Sequence, residues 1–254
     1  MKILKNISLP LLGIVFWEVI AIWLNNPIIL PRVESVLSVL LTPQQPILGT
    51  GVNLMDNTLI SIKRVVSGFL IAGLIAIPIG ILMGYFSIIR DFFDAGIELL
   101  RPIPPLAWVP LALAWFGIGE TSMLFIIFIG AFFPILINTI AGVKGVPTIL
   151  VDSAQTLGAK QKDILLKIII PASSPSILTG LRIGVGIAWM CVVAAEMLPG
   201  SDAGLGYLIM YSYMLSRMDI VVASMIIIGL IGLTLDKLLR HIEDKYFKWK
   251  AMMK

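Results

Sequence analysis

Apolar residues in this chain cluster in six long blocks, at 9–24, 65–86, 103–117, 123–143, 177–198 and 220–239. About 20 helical residues cross the roughly 30 Å hydrocarbon layer of a bilayer, and the blocks reach or approach that length, the first and third being short. The pattern predicts an all-α integral membrane protein with about six transmembrane helices. Between the first two blocks, Val33, Val36, Leu37 and Leu40 fall at helical spacing behind Pro31. They predict a short helix lying on the outer surface. The first block follows Lys2 and Lys5 as a signal peptide would, but it runs on to Leu24 with no small-residue cleavage site beyond. It reads as a retained span.

Composition agrees. Hydrophobic residues make up 58% and charged residues 13%, against about 25% charged in a soluble globular protein. The single cysteine, Cys191, allows no internal disulfide, and the single histidine, His241, lies in a basic tail. No catalytic residues and no metal site are expected.

The net charge of +4 is unevenly placed. With both termini on one side, 14 of the 19 Lys and Arg residues fall on that side; Arg32, Lys63, Arg64 and Arg217 fall opposite, and Arg182 lies within the fifth span. By the positive-inside rule both termini face the cytoplasm, with Lys63 and Arg64 reaching for the interface. Residues 241–254 form a basic cytoplasmic tail with Tyr246, Phe247 and Trp249 interleaved. Such a tail suits the anionic inner leaflet better than nucleic acid. The chain divides into an N-terminal helix with an extracytoplasmic segment (1–57), a transmembrane domain (58–240) and that tail.

Small residues prescribe close helix contacts, since apolar area alone does not drive helices together in lipid. Gly68, Ala72, Ala76, Gly80 and Gly84 line one face of the second span, and Gly180, Gly184 and Ala188 one face of the fifth. Pro78, Pro110 and Pro134 should bend their spans. Glu18, Arg182 and Glu196 are charges at depth. Two readings fit Arg182: it snorkels or pairs with a buried acid such as Glu18 or Glu196, or it lines a polar pathway, with Glu196 a second candidate there.

The segment 147–171 is too apolar to float free and too interrupted to cross. Leu150, Ala154 and Leu157 give a short helix one apolar stripe, with Asp152 expected in its first turn. Gly158 stands where a left-handed C-terminal glycine belongs. A second helix is expected over about 160–170, with Asp163 and Lys167 pairing at i, i+4. Pro171 and the Ser173–Ser176 stretch are expected to end it and restart the chain as the fifth span. Resting on lipid and docking a soluble partner both remain open for this elbow.

Asp152-Ser153-Ala154, Gly158 and Ile168-Ile169-Ile170-Pro171 resemble the EAA loop of ABC importer permeases, whose pattern is Glu-Ala-Ala, three residues, Gly, nine residues, Ile, any residue, Leu, Pro. Asp152, Ser153 and Ile170 are conservative departures from it. The run from Arg101-Pro102-Ile103-Pro104-Pro105 through Trp108-Val109-Pro110 to Trp115-Phe116-Gly117-Ile118-Gly119 resembles the nitrate/taurine/aliphatic-sulfonate/bicarbonate branch of these permeases. Leu178-Thr179-Gly180-Leu181-Arg182 and Gly204-Leu205-Gly206 agree with that branch.

The resemblance implies a type I importer permease with the MetI-like fold, in the cell membrane of a prokaryote. It implies a second permease chain, expected to be an identical copy. It also implies two ABC ATPase subunits and an extracytoplasmic solute-binding protein delivering a small anion. Leu150, Asp152, Ser153, Ala154, Leu157, Gly158, Ala159 and Pro171 would couple to the ATPases. The sequence has no G-x-x-x-x-G-K-[ST] phosphate loop. The chain is therefore expected to bind no cofactor, with ATP and Mg on the partner ATPases. A secondary carrier is the alternative, but it would need ionisable groups at broken midplane helices, and here they are scarce. A membrane enzyme would need a cluster of catalytic residue types, and none is visible; a passive scaffold explains neither motif.

Overall fold

In a computed structural model, residues 2–47, 53–198 and 200–246 are described, and the regular elements among them are all helical. In chain order they are α1 (Lys2–Leu24), α2 (Val33–Leu41), α3 (Leu54–Tyr85), α4 (Ser87–Leu100), α5 (Val109–Phe116), α6 (Glu120–Lys144), α7 (Thr148–Thr156), α8 (Gln161–Glu196), α9 (Leu205–Met214) and α10 (Met218–Tyr246). The end of the predicted tail, with Phe247, Lys248, Trp249, Lys250 and Lys254, lies outside the described residues.

α3, α6, α8 and α10 are each long and apolar enough to cross a membrane. α1 carries a shorter apolar stretch, Leu11–Leu24, and α4 with the segment Pro105–Phe116 makes a candidate bent by 90°. The third predicted crossing is thus one arm of a bent helix pair, not a continuous helix of its own. Pro102, Pro104 and Pro105 cannot continue a helix, because proline lacks the N–H and restricts the residue before it. The preceding α4, which the apolar blocks do not announce, has no buried residues.

The fifth crossing also departs from expectation. It begins at Gln161, and neither Pro171 nor Pro175 ends it. Residues Leu165–Ile169 widen into a π turn, in which Ile170 N–H reaches the Leu165 carbonyl. That wider turn relaxes the geometry that would drive the ring of Pro171 into the preceding carbonyls. Pro175 has no N–H for the Pro171 carbonyl, and Ser174 Oγ donates to that carbonyl at 2.7 Å. The serines that look like helix breakers repair the helix.

The chain forms two compact units. The first comprises Met1–Ile62 and Glu196–Ile231, the second Lys63–Ala195 and Gly232–Lys254. In the first, Trp17 Nε1–H donates to the Pro31 carbonyl at 3.0 Å, and Glu18 Oε2 accepts the Val33 N–H at 2.8 Å. α1 therefore supplies a carboxylate to the start of α2, where the helix dipole favours one. α2 buries Val36 and leaves Leu37 exposed. Asn53 caps α3 by accepting the Asp56 N–H at 2.7 Å.

In the second unit, the small-residue stripe of α3 lies against α6. A Cβ added to Gly68, Gly80 or Gly84 would fall within 2.7 Å of Ile127, Thr139 or Val143, and Ala72 and Ala76 are buried. α8 meets α6 the same way, with Gly180 against Asn138 and Gly184 against Ile135. Both stripes work as their spacing predicts.

Candidate functional site

The elbow between α6 and α8 is built on a left-handed glycine. α7 ends at Thr156, and Gly158 has φ +79°. Its N–H donates to the Gln155 carbonyl at 2.9 Å, and Ala159 N–H reaches back to Ala154 at 3.0 Å. Together these bonds make a Schellman turn, which satisfies carbonyls that the helix end would leave bare. Lys160 then returns to extended backbone and α8 begins, with Lys167 Nζ 2.7 Å from Asp163. Tyr85 Oη, at the end of α3, donates to Gln161 Oε1.

One side of the elbow is anchored and the other is free. Val143, Ile164 and Ile169 form a buried cluster, against which Val151, Ala154 and Ala159 pack with Ile81 and Tyr85. Ile149, Leu150, Asp152, Ser153 and Gly158 are exposed, and Leu157 is 88% exposed. The stripe expected from Leu150, Ala154 and Leu157 is therefore split. Ala154 belongs to the anchor, and Ile149 joins Leu150 and Leu157 outside. Asp152 is corrected too: α7 starts at Thr148 and has no acidic residue in its first turn. The helix begins earlier than the apolar spacing suggests because Pro147, with its fixed φ, stands just before it. An open depression of about 430 Å³ beside the elbow is lined by Gly158, Ala159, Lys160, Asp163, Lys167 and Ile168. Pro171 lies within α8, beyond the elbow.

Arg182 and Arg64 form ion pairs, and Glu196 is held by hydrogen bonds. Arg182 Nε is 2.8 Å from Asp236 Oδ1 and its Nη1 is 3.6 Å from Glu243, while Arg240 Nη2 approaches Asp236 at 3.2 Å. Arg182 thus joins α8 to α10 within the second unit. Arg64, expected at the outer interface, is buried, and its Nη2 lies 3.1 Å from Glu120 Oε2. Glu196 is 1% exposed. It accepts from Ser61 Oγ at 2.9 and 2.8 Å and from the Gly206 N–H at 3.1 Å. Ser61 Oγ in turn accepts the Leu205 N–H at 2.8 Å, and Asn57 Oδ1 accepts the Gly204 N–H at 2.7 Å.

Glu196 with Ser61 and Asn57 therefore caps the start of α9, inside the first unit. Sequence reasoning finds Glu196 but misses its partners. The available signal is the polar series Asn57, Ser61, Arg64 along one side of a helix that is apolar over most of its length.

Residues 76–248 match the family described as the binding-protein-dependent transport system inner membrane component. The chain belongs to that family. A relative of this permease named "Putative ABC transporter permease protein", from Methanocaldococcus jannaschii, is 72% identical over 253 residues, spanning 100% of this chain and 94% of its own. The taurine transport system permease protein TauC of Escherichia coli is 37% identical over 242 residues, 95% of this chain and 88% of its own. The bicarbonate transport system permease protein CmpB of Synechococcus elongatus is 36% identical over 248 residues, 94% and 89%. A solved structure of the MetNI methionine ABC transporter in an inward-facing conformation superposes with a TM-score of 0.58 over 74% of this chain and 95% of that one, at 20% identity. The permease is accordingly a multi-pass, all-α membrane protein with the fold of the ABC importer permeases.

Proposed function

We propose that this permease forms the translocation path of an ATP-driven importer as a pair of identical chains. Two ABC ATPase subunits carry the ATP and Mg, and an extracytoplasmic binding protein delivers the solute. The observation that carries this reading is the split elbow. Val151, Ala154 and Ala159 fix it to the buried cluster, while Ile149, Leu150 and Leu157 stand free beside the depression at Gly158. Exposed leucines at a rigid helix end suit the groove of a soluble partner, with Asp152 and Ser153 at its rim. Closure of the ATPases on ATP pushes the elbow, and α8 passes the movement into the bilayer. The solute is a small anion such as nitrate, a sulfonate, taurine or bicarbonate, a class supported by the taurine and bicarbonate names among the relatives. Arg182 and Glu196, already engaged, hold helices around the path. Both termini lie in the cytoplasm of a prokaryotic cell, and the plasma membrane is the site of action.

Reconstitution tests it. Uptake into liposomes should require the ATPase, ATP and the binding protein together, and a Leu157→Cys permease should crosslink to the ATPase. Uptake that persists without the ATPase, or crosslinking of the variant no stronger than that of a permease retaining Leu157, counts against the reading.

A further inference from the structure

All seven arginines of the chain lie among the described residues. Six hold ion pairs: Arg32 with Glu34, Arg64 with Glu120, Arg90 with Asp91, Arg182 and Arg240 with Asp236, and Arg217 with Asp219. Among the described residues Arg101 is the one arginine with neither an ion pair nor a side-chain hydrogen bond. It stands at the 90° break that follows α4, and it lines a cavity of about 340 Å³ within the second unit.

The remaining walls are mostly apolar, formed by Ile103, Ile129, Phe133, Ile183 and Ile187 with two prolines. Asn138 is the other polar side chain, and its Nδ2 is already given to the Pro134 carbonyl at 2.8 Å. Gly130 and Pro134, both in the wall, lie about 15 and 21 Å along α6 from Glu120, so the cavity sits beside the middle of that helix. Pro134 also has no N–H for the Gly130 carbonyl. The site therefore offers one uncompensated cation, a few acceptors and a large apolar wall.

A cavity of this size, apolar with a small number of placed polar groups, has the profile of a small-molecule site. A guanidinium there selects an oxyanion that can accept two parallel hydrogen bonds. We propose that the cavity is a transit site for a small organic anion, with a sulfonate or carboxylate head on Arg101 and a short apolar body against Ile129, Phe133, Ile183 and Ile187. Nitrate and bicarbonate offer the charge but nothing to fill the wall. Resting on the importer reading above, this assignment narrows its solute class. Arg101 is exposed, which suits a site that must release what it binds. A lipid phosphate carries the same charge, so the test separates the two sources.

The permease–ATPase complex, without binding protein, is placed in nanodiscs of phosphatidylcholine with and without phosphatidylglycerol. Butanesulfonate and nitrate binding are read by equilibrium dialysis. Saturable butanesulfonate binding in both lipids is expected, weakened about tenfold by Arg101→Gln, the size of one lost charged hydrogen bond. Arg101→Lys should keep part of it. Ile187→Trp should abolish it in a complex that still assembles by gel filtration. Equal binding by Arg101→Gln, nitrate bound as tightly, or binding lost when phosphatidylglycerol is added overturns the site, the last by assigning Arg101 to lipid. ATP-dependent uptake of the binding protein's own ligand is measured alongside. Uptake indifferent to Arg101→Gln overturns the transit site alone, whereas no ATP-dependent uptake by the wild type overturns the importer reading instead.

Discussion

A Cβ atom on Gly204 would lie 2.2 Å from the carboxyl carbon of Glu196. Gly204 also has φ +116°, a region that side chains rarely enter. The glycine lets the backbone N–H groups at the start of α9 close on a buried carboxylate. Gly204→Ala should therefore destabilise the folded permease by about 2–4 kcal/mol, the range of a buried clash combined with backbone strain. Glu196→Gln, which keeps the shape and loses the charge, should cost less than Glu196→Ala, which leaves Ser61 and Gly206 unsatisfied. Thermal unfolding in detergent ranks the three variants, and Glu196→Ala matching wild type would remove the carboxylate from the framework.

At Gly158 the strain comes from backbone conformation alone. Nothing lies within 4 Å of a Cβ placed there, yet φ is +79°. Gly158→Val should insert and fold but uncouple ATP hydrolysis from uptake, because a β-branched residue resists the left-handed region by about 1–2 kcal/mol. Gly158→Asn, which tolerates that region, should stay coupled. Hydrolysis and uptake measured on the same liposomes separate the two; equal coupling in all three proteins would mean that the bend angle is irrelevant.

The two sides of the elbow should fail differently. Leu157→Asp is expected to weaken ATPase association by tenfold or more, roughly the loss of a buried leucine, and to leave permease stability unchanged. Ala154→Leu should instead lower the unfolding temperature of the permease itself, since it overfills the cluster around Val143 and Ile164. Co-purification and thermal scans of the two variants give opposite patterns if the split is real.

Arg182 and Asp236 should behave as a pair. Both are partly exposed, so a double-mutant cycle of Arg182→Ala and Asp236→Ala should give a coupling of about 1 kcal/mol or less. Uptake should fall in proportion to the loss of folded protein. A transport defect from Arg182→Ala at full stability would return that residue to the pathway.

Periodicity and small residues made much of this legible: the long helices, the packing stripes of α3 and α8, and the left-handed turn at Gly158. Pro171 misleads because a widened turn accommodates it, and a five-residue π segment leaves no mark on a 3.6-residue pattern. The bend after α4 hides because Ile103 to Gly117 is apolar whether it forms one arm of a bent pair or a whole crossing. Arg64 misleads for another reason. A count of positive charges assigns it a side of the membrane, and only the folded neighbourhood supplies Glu120. The depth of Glu196 was visible; its tie to Ser61, 135 residues earlier, and that of Gly204 to Asn57 are tertiary facts.

The π turn in α8 has a mechanical consequence. By absorbing Pro171 without a break, it leaves Gln161 to Glu196 as one rod of 36 residues, about 54 Å from tip to tip. A rod of that length pivoting about its centre by only about 5° carries each tip roughly 2 Å sideways. A small nudge beneath the bilayer thus reaches the far side along a helix whose backbone is continuous.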